Sequence, residues 1–190
     1  MIRIIVAGFL GALALFVWGF ISWEVLPWNA QAMHKLSNED AVMSALKAGN
    51  PESGTYSIPG MPDTKDEAAK SAHMEKMKAG PVAMIQYSTT GMDMGSYMIR
   101  GFLVYFLSAM LAASLLAKLS WSLASKFGAR VWYVTMLGIF LAVAARIGDW
   151  AWMGASTSMS ITLAVNDIIG WMLAGLLIAW RMKPVMAKTA

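Results

Sequence analysis

The chain has 190 residues, of which 58% are hydrophobic and 14% charged, and its formal net charge is +4. Soluble domains carry about 25% charged residues, so this composition excludes one. With no cysteine, disulfides, thiolate metal sites, iron–sulfur clusters and thiol nucleophiles are excluded as well.

The first apolar stretch covers 4–26, and about 20 residues at 1.5 Å each suffice to cross a bilayer. Arg3 followed by an apolar run, with Ala30-Gln31-Ala32 as an A-x-A site, also fits a cleaved signal peptide. The run is too long for that and carries Trp18, Trp23 and Glu24, so a retained helix is expected.

The mostly polar segment 27–97 comes next. Ser37 and Asp40 stand at capping-box spacing for a helix to about Ala48 that stops at Gly49-Asn50-Pro51. Thr55-Tyr56-Ser57-Ile58 is a short strand candidate, and residues 82–88 are a second. Between them Thr64 and Glu67 open another helix, closed by Gly80-Pro81. Two strands around a helix suggest a split βαβ-like cap, with a right-handed crossover if parallel. So small a unit buries little core. Met33, Leu36, Val42, Leu46, Ile58, Met74 and Met77 are the apolar positions expected to lean on the bundle or on another protein.

Three further apolar stretches cover 98–117, 131–153 and 159–180, joined by short connections. The predicted fold is therefore an all-α membrane bundle of four transmembrane helices, with a small extracytoplasmic α/β cap inserted between helices 1 and 2. Its segments are helix 1 (1–26), the cap (27–97) and helices 2–4 with short loops and a tail (98–190). Arg3, Lys118, Lys126, Arg130, Arg181, Lys183 and Lys188 fall on one side with no acid among them. Lysine and arginine favour the cytoplasmic face, so both termini are expected there. The expected location is a bacterial inner (plasma) membrane. Trp23, Trp28, Trp150 and Trp152 would form the outer aromatic belt, and Trp121, Trp132 and Trp180 the inner one. Small residues at helical spacing, namely Gly8, Gly11 and Ala12, then Ala109, Ala113 and Ala117, then Gly170 and Ala174, mark expected helix contacts.

Ionisable residues inside a bilayer are expensive and face the bundle interior. Arg146 and Asp167 stand about 22 Å and about 20 Å above the inner ends of their helices. Equal depth and opposite charge on adjacent helices predict an ion pair. Glu24, Arg100 and Asp149 form a shallower tier, with Asn166 beside Asp167 and with Arg146 and Asp149 three apart on one face. These six residues are the candidate site. An ion-pair clasp is the plainest reading of it. A cation or proton site and a surface that pairs with another subunit are the alternatives.

No cofactor is expected. Only His34 and His73 are present, both in the 27–97 segment, so bis-histidine haem between spans is excluded. A minor reading gives His73, Met74 and Met77, with Met92, Met94 and Met98, to Cu(I), which suits soft thioethers. The expected function is a non-catalytic accessory or assembly subunit of a larger membrane complex. Its partners would be the lipid bilayer and other membrane subunits or a second copy, with no nucleic acid. The alternative is an ion- or small-ligand-binding membrane protein, a transport component or sensor, with its site between the cap and the charge cluster. An enzyme acting on a lipid-like substrate through Asp167, and extracytoplasmic copper handling, rank below.

Overall fold

The computed structural model describes residues 1–49, 52–62, 66–119 and 121–183. It is mostly helical with one two-stranded sheet, and the chain divides into two compact units. Four helices among the described residues are long and apolar enough to cross a membrane.

The larger unit holds residues 1–34 and the chain from Asp93 onward. Helix α1 (Ile2–Phe20) continues as a π-helical segment, Ile21–Val25, and ends where Leu26 turns extended ahead of Pro27. A short α2 (Trp28–Ala32) comes after it. Trp28 Nε1 and Asn29 Nδ2 both donate to the Ser22 carbonyl, at 2.9 and 2.7 Å, which ties α2 back to the end of α1.

The other unit, Lys35–Met92, is shorter at both ends than the expected segment 27–97. Its elements are α3 (Glu39–Gly49), β1 (Gly54–Ile58), α4 (Glu67–Ala79) and β2 (Ala83–Tyr87). Asn38, one residue past the expected Ser37, caps α3 by accepting from the Ala41 amide. Asp66 caps α4 by accepting from the Ala68 amide at 3.0 Å. The expected cap Thr64 and the turn at Asn50-Pro51 lie outside the described residues. The strands pair antiparallel from Gly54 opposite Tyr87 to Ile58 opposite Ala83, which corrects the βαβ-like expectation. The connection through α4 leaves and returns at the same end of the sheet, so crossover handedness does not arise. Tyr56 and Tyr87 stack edge to face at 6.5 Å on this ladder.

The larger unit resumes with α5 (Met94–Leu116), α6 (Trp121–Ala124) and α7 (Phe127–Leu141). A second π-helical segment, Ala142–Ile147, leads into α8 (Gly148–Met153), and α9 (Thr157–Arg181) closes the fold. Asp93 and Ser156 cap α5 and α9. The Asp93 cap starts α5 four residues before the expected Met98.

Helix α1 packs on α5 and on α9, and α9 packs on α7; α5 meets α7 and α9 only lightly. Lipid tails are as apolar as leucine, so close backbone approach rather than hydrophobic burial holds such helices together. The seams accordingly run through Ala7, Ala12, Ala109, Ala112, Ala113, Ala174 and Ala179, all buried. A Cβ on Gly8 would meet Met110 Cγ at 2.4 Å, and one on Gly138 would meet Trp171 Cβ at 2.4 Å. Only glycine fits at these two crossings. Ala117, expected on a seam, is exposed, whereas the neighbouring Leu116 is buried.

Candidate functional site

Of the six candidate residues, the fold brings Arg146 and Asp167 together. Arg146 lies in the π-helical segment before α8, and Asp167 lies mid-way along α9. Arg146 Nε donates to Asp167 Oδ2 at 2.8 Å, with the two side chains 34% and 14% exposed. Each half of the pair stands on a helix that packs along the other, so helix register and ion pair specify each other.

Glu24, Arg100 and Asp149 are exposed and form no ion pair among the described residues. Arg100 lies over the Tyr97 ring at 5.7 Å. Spacing puts Arg146 and Asp149 on one face, yet Arg146 is part-buried in its pair and Asp149 is exposed.

Two further polar residues bear on this stretch of α9. Asn166 Oδ1 is buried and has no hydrogen-bond partner among the described residues, while the Asn166 carbonyl accepts from Trp18 Nε1 at 3.0 Å. Tyr105 of α5 lies within electrostatic reach of both Asp167 and Arg146, and a Cβ on Gly19 would meet its hydroxyl at 3.8 Å. Arg146, from the π-helical segment, is the residue that meets the Asp167 carboxylate directly, and Trp18 of α1 ties the neighbouring turn of α9 to α1. The arrangement can hold charge in a low dielectric and set helix register. A nucleophile beside a general base is not among its parts.

Tyr105 escapes sequence reasoning because one tyrosine in an apolar run carries no signal of its own. Arg130 escapes it for another reason. Its position in the chain groups it with the loop cations, but it is only 3% exposed. Its Nε donates to the Ala179 carbonyl at 3.1 Å and its Nη1 to the Ala124 carbonyl, beneath a stacking contact with Phe127 at 5.6 Å. The cation thereby meets the negative, carbonyl-bearing end of α9, where it is favoured.

Among the candidate copper ligands, Met74 and Met77 lie exposed on α4 beside a half-buried His73. Met92 ends the smaller unit, and Met94 and Met98 are exposed at the start of α5. These residues fall in two units. No three His, Cys, Asp or Glu residues group as a metal site among the described residues.

No family model, curated protein or solved structure matches the chain.

Proposed function

We propose that the protein is a non-catalytic integral membrane subunit that serves assembly or accessory roles in a larger membrane complex, with both termini cytoplasmic and residues 35–92 outside. A bacterial inner membrane suits the charge distribution best. One observation carries the reading. No described residue between Lys35 and Met92 is buried, and Leu36, Val42, Met43, Ile58, Met74, Met77 and Met84 all expose large apolar side chains there. A partner that covers these side chains would supply the burial that this unit lacks by itself. Two helices and a two-stranded sheet also form too little core to account for their own order.

Photo-crosslinking tests it. A photoreactive residue at Val42 or Met77 in the full chain should give discrete adducts with another membrane protein or a second copy. Replacing Val42 and Met43 together by Ser should abolish those adducts and leave the unfolding of the helical bundle unchanged. Adducts with lipid and water alone would refute the reading.

The buried, unpartnered Asn166 Oδ1 next to Asp167 favours a second reading, a small-ligand or cation site at the Arg146–Asp167 pair. A buried acceptor with no partner among the described residues, on the residue that precedes a part-buried carboxylate in α9, suits a protonated or cationic ligand. Cation-dependent stabilisation that Asp167→Asn removes would support this reading over the first.

A further inference from the structure

We propose that the end of the bundle formed by the start of α1 and the end of α9 binds the phosphodiester headgroup of an anionic membrane lipid. A hollow of about 400 Å³ opens there, lined by Arg3, Trp180, Arg181 and Lys183. A neighbouring hollow of about 380 Å³ shares Arg3 and Lys183 and continues over Ile4, Leu116, Leu119 and Trp121. The Arg3 guanidinium donates to the Lys183 carbonyl, which joins the start of α1 to the chain just past α9 in one wall. A guanidinium has five N–H donors, and Arg3 spends the others on no acceptor among the described residues. Arg3, Arg181 and Lys183 also have no carboxylate partner among those residues.

Three cations converging on one concavity repel each other unless an anion joins them. The chemistry of the walls selects the anion. Guanidinium forks match phosphate oxygens in bidentate geometry. Tryptophan favours the headgroup level of a bilayer, and the leucine and isoleucine floor of the second hollow suits acyl chain and glycerol rather than a hydrated free ion. Topogenesis alone asks only that cations lie near helix ends. Lys118 and Lys126 meet that requirement and line neither hollow. The site is independent of any partner of residues 35–92.

The test uses the full chain in uncharged detergent, titrated with dioleoylphosphatidylglycerol or dioleoylphosphatidylcholine and read by native mass spectrometry. Dioleoylphosphatidylglycerol, the anionic one, should bind at least tenfold more tightly. Each cation near an anionic headgroup is worth about fivefold in affinity, so R3Q/R181Q/K183Q should lose about a hundredfold. K118Q/K126Q should change affinity less than threefold. Equal losses in the two variants, equal affinity for the two lipids, or displacement by millimolar inorganic phosphate would overturn the proposal. Should the triple variant fail to insert, photoreactive phosphatidylglycerol on the unaltered chain decides. Labels on peptides containing Arg3 and residues 180–183 support the site, and labels spread along the outward face of α5 refute it.

Discussion

Asp167 shows how much one side chain commits in a bundle of this kind. Its carboxylate meets Arg146 at 2.8 Å while being only 14% exposed, so removing either partner strands the other charge. Asp167→Asn and Arg146→Gln should each destabilise the bundle by about 2 kcal/mol, less than for a fully buried pair because Arg146 retains some exposure. The double variant should fall short of the summed losses by about 1 kcal/mol or more. Reversible unfolding in detergent measures this, and strictly additive losses would dissolve the clasp. Asp93 makes a different prediction. The Ser96 hydroxyl and the Ser96 amide both donate to its carboxylate and hold the carboxyl below its ordinary 3.8. The folded state therefore binds the proton less tightly than the unfolded one. Its contribution is complete above 3.8 and is lost as pH falls through the lower, folded value. Protection of the first amides of α5 should decline in that acid window, and Asp93→Asn should flatten the decline. An unchanged profile in the variant would assign the acid sensitivity elsewhere.

Elements pair here by shape. The Gly138 crossing seats Trp171 of α9 so closely that any Cβ intrudes at 2.4 Å. Gly138→Val should destabilise the α7–α9 contact by about 1–3 kcal/mol, whereas Gly101, with open space around it, should accept Ala without loss. Thermal unfolding of the two variants side by side checks the pairing, and equal tolerance would mean that α7 and α9 do not cross there. The π-helical segments are the other decision made at this scale. Both fall towards the same ends of their long helices, Ile21–Val25 after α1 and Ala142–Ile147 after α7. The second carries Arg146 in its last turn. Helical spacing predicted the small-residue rows at Gly8, Gly11, Ala109, Ala113, Gly170 and Ala174. It failed at Ala117, which is exposed although its amide still bonds to the Ala113 carbonyl at 3.0 Å.

At the scale of the whole molecule, orientation is the first proposal to test, and the lack of any native cysteine makes introduced thiols unambiguous. Ser71→Cys on α4 should react with an impermeant maleimide in intact cells, and Lys126→Cys should react only after permeabilisation. The opposite pattern would invert the orientation, and with it the leaflet of the proposed lipid site.

Length and polarity alone determined that four stretches are helical and apolar over a bilayer's thickness, because a helix rises a fixed distance per residue and hydrocarbon accepts no unpaired backbone. The depth of Arg146 and Asp167 came from the same arithmetic. Which charges meet was decided by tertiary structure. An ion pair needs two helices in one register, and that register is set by glycine and alanine contacts between residues far apart in the chain. The same contacts turned Arg130 inward to the Ala179 carbonyl near the end of α9 and left Glu24, Arg100 and Asp149 at the surface.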